Sequence, residues 1–346
     1  MMEYSIKIQL DNNDEDEILF DDKSEYYPQK YDSVKIGSKT IEINFKRQGK
    51  KNLENLIRNN NSTVTEQITK SLCYLYALIG RKVVIENIYI CRIENGEIVE
   101  EYTFSEINQP FSRELPDRLR FNHNVLKELF SYGEKSKMLI IAFVSYFKAL
   151  NENLHGERFN ELWKSFNCLY TGISGKEQEM DKLIFIRWFL ERNLSYFSSS
   201  LNLIDSHDKD SIRQLSIAKM ILNNFEDEAK TQAFHDFIIR FEDYRINEVF
   251  KDVLVIRRKF LVNKGLLVNV ENHISSKIAL KKKNNLELLC FYILKYSYFV
   301  RNKYFHAEKL DSSFYLVKTA EVGNIEFINN IFEQFLHDLL SCNMHY

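Results

Sequence analysis

Residues 291–309 read FYILKYSYFVRNKYFHAEK, and their reading decides the fold. From Leu286 to Phe305, apolar and aromatic residues occupy most faces of a helical pattern. A helix that is apolar all round has no solvent side, so other helices must enclose it. Arg301 and Asn302 stand near the end of this segment, and His306 follows five residues past the arginine. A buried guanidinium cannot shed its proton, so it requires an anionic partner or an anionic ligand. The imidazole titrates near neutral pH. Asn302 and His306 share a helical face, whereas Arg301 and His306 stand about 140° apart on an ideal helix. They converge if the helix loosens before His306, if the arginine stem swings across, or if a two-fold dimer brings two pairs into one cleft.

Outward from this segment the chain supplies the bundle. The sequence has 26 Phe and 19 Tyr but only 10 Gly and 3 Pro. Few breakers mean long uninterrupted elements. Helices are expected near 124–131, 136–150, 157–171, 177–193, 209–225, 228–262, 284–305 and 325–342. No repeat period is present, which excludes a solenoid. MLIIAFVSYF, Met138 to Phe147, is half the length that crosses a bilayer and reads as a core helix. With MMEYSIKIQL lacking a signal pattern, the expectation is a cytoplasmic protein with no membrane partner. The five cysteines, at 73, 91, 168, 290 and 342, have no C-x-x-C spacing and read as thiols in a reducing compartment, with no zinc site. The formal charge of −2 excludes a globally basic nucleic-acid binder and leaves room for a local basic cleft.

Residues 1–120 have a different pattern. SVKIGSKTIEINF alternates about Gly37-Ser38 as a hairpin, and VVIENIYICRIENGEIVEEYTF is a second hairpin turning at Asn95-Gly96. Between them Thr63 and Glu66 have capping-box spacing, Ile68, Leu72, Leu75 and Ile79 follow at helical intervals, and Gly80 is a stop. The acidic DNNDEDEILFDD reads as a solvated loop, since its spacing fits no calcium loop. NQPFSRELPDRLRFNHN holds two of the three prolines and reads as a boundary. The expected fold is thus mainly α: a small α+β domain over 1–120 and an all-α bundle over 121–346.

A second polar residue stands out in RFNELWKSFNCLY. Phe159, Leu162, Trp163, Phe166 and Tyr170 form an apolar stripe, and Asn167 falls four after Trp163. An amide aimed at a core needs a partner, and the Arg301 helix would offer one. An Arg-Asn-x-x-x-His sequence closing an apolar helix resembles the signature of the HEPN superfamily, in particular prokaryotic host-defence and toxin ribonucleases. The resemblance covers roughly 150–346, with Arg301, Asn302 and His306 as the matching positions and Asn167 as a weaker one. Arg118 and His123 repeat the spacing without the asparagine or the preceding helix, and read as boundary loop.

The resemblance implies metal-independent RNA cleavage, with the 2′-hydroxyl attacking the adjacent phosphorus. His306 would move protons, Arg301 would hold the phosphate, and Asn302 would orient one of them. The family's habit of pairing two copies implies a homodimer with the site at its interface. It also implies RNA as substrate, no cofactor, and an antitoxin or defence-system partner. Lys303, Tyr304 and Asn167 are expected in support, Lys309 and Lys281–Lys283 as basic contacts, and Tyr296 and Tyr298 as stacking or core aromatics. Two alternatives stay open. Arg301 pairs with a carboxylate such as Glu161 or Asp181 as a structural ion pair, or the helical half is a non-catalytic dimerisation and binding module. GISGKE lacks P-loop spacing, and no G-x-S-x-G, H-E-x-x-H or dinucleotide turn is present.

Overall fold

The computed structural model describes all residues except 13–14, 16, 60–61, 105, 306–316 and 318, and leaves out the side chains of 304 and 305. The chain forms two compact units.

The first unit comprises 1–152, 164–173 and 340–346. Its sheet is antiparallel throughout, with strands β1 (Met2–Leu10), β2 (Ile18–Tyr27), β3 (Lys30–Gly37), β4 (Thr40–Arg47), β5 (Ile85–Glu94) and β6 (Glu97–Phe104) in the order β2-β3-β4-β1-β5-β6. Alternation places Tyr4, Ile6, Ile8, Val34, Ile36, Ile41 and Ile43 on one face, fully buried. Helices α1 (Leu53–Arg58) and α2 (Thr63–Ile79) follow β4. The α2 side chains bond into the sheet: Gln67 Oε1 accepts from Ser24 Oγ at 2.5 Å, and Tyr74 donates to the Leu19 carbonyl at 3.0 Å. Both hairpins form, and Asn95 (φ 52°) and Gly96 (φ 85°) supply the positive angles of the second turn. The α2 cap is Ser62, one residue before the expected box, with its hydroxyl accepting from the Thr65 amide at 3.0 Å. Part of the expected acidic loop, Ile18 to Asp22, is strand.

The first unit continues past the expected boundary at 120. The proline segment is not a linker, because Phe111, Leu115, Leu119 and Phe121 are buried. Leu115 and Phe121 donate backbone hydrogen bonds to Gly80 and Ala77 at 2.7 and 3.0 Å. After α3 (His123–Lys127), helix α4 (Glu134–Asn151) stays with the sheet. The Tyr76 ring stacks on Phe111 at 4.0 Å and meets Phe147 edge-on at 5.1 Å, and its hydroxyl accepts from Asn151. His123 bonds the Tyr74 hydroxyl, and Arg118 is exposed.

Beyond residue 120 every regular element among the described residues is helical. Helix α5 (His155–Ser174) contributes to both units. The second unit contains α6 (Glu179–Arg192), α7 (Ser198–Asp205), α8 (Lys209–Arg213), α9 (Ile217–Asn224), α10 (Thr231–Ile239), α11 (Tyr244–Val253), α12 (Arg258–Asn263), α13 (Leu267–Leu280), α14 (Asn285–Cys290), α15 (Ser297–Phe305) and all but the last two residues of α16 (Ala320–Ser341). The helix expected over 228–262 is therefore three. The break before α11 is held by Asp243 and Arg245, both fully buried, with the guanidinium on the carboxylate at 2.7 Å and on the carbonyls of Ile204 and His207. Among the described residues no helix is long and apolar enough to cross a membrane.

Candidate functional site

Helix α14 passes into α15 through a π-helical segment, Phe291–Tyr296. Loosening before His306 is one of the three routes to convergence, and His306 lies outside the described residues; the described departure from α geometry lies upstream of Arg301. Phe291, Tyr292, Ile293, Leu294 and Tyr296 are all buried, as are Leu288, Leu289 and Cys290 before them. The Tyr292 carbonyl accepts both the Ser297 backbone N–H and, at 2.9 Å, the Ser297 Oγ.

The end of this helix carries a ring of four side chains. Arg301 Nη1 donates to Asn302 Oδ1 at 2.9 Å, and Nη2 lies 3.9 Å from Glu179 Oε1. The Tyr298 hydroxyl donates to the other Glu179 oxygen at 3.2 Å. Burial, then the Glu179 charge, raises the Tyr298 pKa, so the hydroxyl stays protonated and a donor at neutral pH. The guanidinium carbon stands 5.9 Å from the ring centres of both Trp163 and Tyr298, which are 6.1 Å apart. That places the cation over two aromatic faces, an attraction worth about 0.5–2 kcal/mol. Trp163 is held by the Phe159 and Phe332 rings, on α5 and α16. The Arg301 side chain keeps 26% of its surface exposed and Glu179 keeps 33%, so the ring lies at the unit's surface.

The ring meets some of the expectations drawn from sequence and not others. Arg301 and Asn302 come together. Tyr298 is a site residue, holding a carboxylate, whereas Tyr296 is buried with its hydroxyl accepting the Ser216 amide at 3.0 Å. A carboxylate of the chain does stand near Arg301, as one of the alternatives expects, and it is Glu179. Asn167 is exposed and falls in the part of α5 that groups with the first unit, so the expectation of a core-facing amide is not met. The apolar stripe there runs through Leu162, Trp163, Phe166, Leu169 and Tyr170, and position 167 lies off it. Lys303 is half-buried, one residue beyond the ring. His306, Lys309 and the Tyr304 side chain lie outside the described residues.

Sequence reasoning missed Glu179. It sits in the first turn of α6, where an acidic residue is expected simply to complement the helix dipole. Nothing local connects it to Tyr298, 119 residues away. Among the described residues no group of three His, Cys, Asp or Glu forms a metal-binding cluster. Compared with known proteins, the chain matches no family model, no curated protein and no solved structure.

Proposed function

We propose that the protein is an endoribonuclease that binds an RNA phosphate at Arg301 and cleaves by attack of the RNA's own 2′-hydroxyl. The observation that supports this reading is the Arg301 guanidinium, fixed over Trp163 and Tyr298 at the mouth of a buried helix with part of its surface open. A planar cation in that setting suits two phosphate oxygens and the charge that develops on them. The new bond joins O2′ to phosphorus as the bond to O5′ breaks. The O2′ proton passes to a base and a proton passes to O5′, leaving a 2′,3′-cyclic phosphate and a 5′-hydroxyl without any co-reactant. His306 is the proposed proton carrier, and such a group contributes about 10²–10⁴-fold. A homodimer would bring a second histidine to act as acid while the first acts as base. The resemblance to host-defence and toxin ribonucleases makes an antitoxin or defence partner part of the same proposal.

The test is a gel assay on labelled RNA with EDTA present. Wild type should release fragments ending in cyclic phosphate, and Arg301→Ala and His306→Ala should each lower the rate by at least about 100-fold with the circular dichroism spectrum unchanged. Wild-type rates in both variants, or loss of cleavage in EDTA, overturn the proposal.

The Glu179 carboxylate favours a second reading. A guanidinium already near a carboxylate of its own chain can serve as a binding element without turnover. RNA or nucleotide binding with no product on the gel would select this non-catalytic dimerisation and binding module.

A further inference from the structure

Residues 254–283 carry eight lysines and arginines against one glutamate, while the remainder of the chain carries 39 basic against 48 acidic residues. A protein of formal charge −2 has therefore gathered a net +7 into 30 consecutive residues. They form the end of α11's extension, α12, α13 and the loop into α14.

Four of these cations have structural duties. Arg258 pairs with Glu271 at 2.6 Å, Lys277 with Glu242 at 2.5 Å, and Arg257 donates to the Leu222 carbonyl at 3.1 Å. Lys283 Nζ donates to the Asp205 carbonyl at 2.7 Å. The other four, Lys259, Lys264, Lys281 and Lys282, are exposed and make no ion pair among the described residues. Lys264 precedes the first turn of α13 and Lys281 caps its last in the left-handed conformation, φ 47°. The 14 residues of α13 put these charges on the order of 25 Å apart. Between them the exposed positions include Asn272, Ser275 and Ser276, groups that hydrogen-bond a sugar–phosphate chain. The segment's one acidic residue, Glu271, is taken up by Arg258.

We infer that α12, α13 and the Lys281–Lys283 loop form a second nucleic-acid surface, which grips the RNA backbone away from Arg301. Lys283 and Arg301 stand near opposite ends of the helix that runs from α14 to α15, on the order of 27 Å apart. Grip and chemistry are thus separable by mutation. An anionic membrane would use the same charge, and Val262, Val268 and Leu280 are exposed here. A membrane-lying helix, however, needs a continuous apolar face with large anchors. The outer side of α13 alternates Val268 with Asn272, Ser275 and Ser276, which favours RNA.

The inference rests on RNA as the ligand but not on its cleavage, and the test keeps the two apart. The probe is a labelled 2′-O-methyl RNA of about 20 nucleotides, which lacks the attacking hydroxyl, read by fluorescence anisotropy from about 50 to 200 mM salt. The full chain with Lys259→Glu, Lys264→Glu, Lys281→Glu and Lys282→Glu should bind at least about tenfold more weakly. Its salt slope should fall by about 0.7 for every phosphate that is no longer neutralised. The four glutamine variants should show the same direction if charge reversal perturbs folding. Unchanged affinity and slope overturn the surface, as does unchanged RNA binding with loss of binding to phosphatidylserine vesicles. If wild type cuts unmodified RNA and the quadruple variant cuts it with the same KM, this surface fails and the nuclease reading stands. If wild type binds but never cuts, and the quadruple variant does not bind, the surface stands and the nuclease reading fails.

Discussion

At the scale of the residue, the informative conflict is between Arg301 and Glu179. An ion pair at 3.9 Å with both groups partly exposed is weak, about 0.2–1 kcal/mol. A phosphate brings more charge and two oxygens, so it can outcompete the carboxylate. If Glu179 only competes, Glu179→Gln should tighten 2′-O-methyl RNA binding by about 1.4- to fivefold, the equivalent of that pairing energy. Weaker binding would instead make Glu179 a positioning residue that aims the guanidinium. Lys295 offers a second test in the same helix. Burial, and then the Arg240 charge, lower its pKa from 10.5 to about 8. Above the unfolded value the residue is neutral in both states and costs nothing. As the pH falls from 10.5 to about 8, the unfolded chain takes up the proton before the folded one, and stability is lost. Lys295→Met should therefore raise the melting temperature at pH 7, and the advantage should shrink as pH rises from about 8 toward 10.5. A difference that stays constant with pH would show that the lysine is not desolvated. Arg301 was legible in the sequence because a permanent cation stood at the end of an apolar helix. Glu179 was not, because a helix-start carboxylate looks the same whether or not something distant meets it.

At the scale of the element, legibility followed local chemistry. Asn95-Gly96 specifies its turn by backbone angle, and the β5–β6 hairpin is readable from it. Strand β1 has equally clean alternation at Tyr4, Ile6, Ile8 and Leu10, but no hairpin turn adjoins it. Its pairing with β4 and β5 depends on segments far along the chain. The helix predicted over 228–262 broke because Asp243 caps the next helix and Arg245 is committed to carbonyls inside the fold, a tertiary choice that periodicity does not reveal. The π segment was unreadable for the opposite reason: apolar residues on every side leave no register to detect. Gly80 shows how firm a readable stop can be. It ends α2 at φ 68°, and an added Cβ would meet the Arg120 side chain. Gly80→Ala should cost about 1–3 kcal/mol in denaturant unfolding, with Gly80→Asn less damaging because asparagine tolerates the left-handed region. Equal stability of Gly80→Ala and wild type would mean that the cap is not under this constraint.

At the scale of the whole molecule, the two units are not the two halves of the sequence. The expected break at 120 rested on prolines and a change of pattern, whereas the observed unit is closed by buried aromatic rings on α2 and α4. It also recruits residues 340–346. Asn343 is fully buried there and donates to the Val125 carbonyl at 2.9 Å, across 218 residues of sequence. No local signal encodes that bond, yet the α3 backbone depends on it, since a buried carbonyl left without a donor costs about 1–3 kcal/mol. Asn343→Ala should therefore lower hydrogen-exchange protection in α2, α3 and α4 while leaving the α11 amides near Arg245 at wild-type protection. Protection lost equally in α11 would mean that the chain opens as one cooperative body and that the division into two units has no energetic meaning.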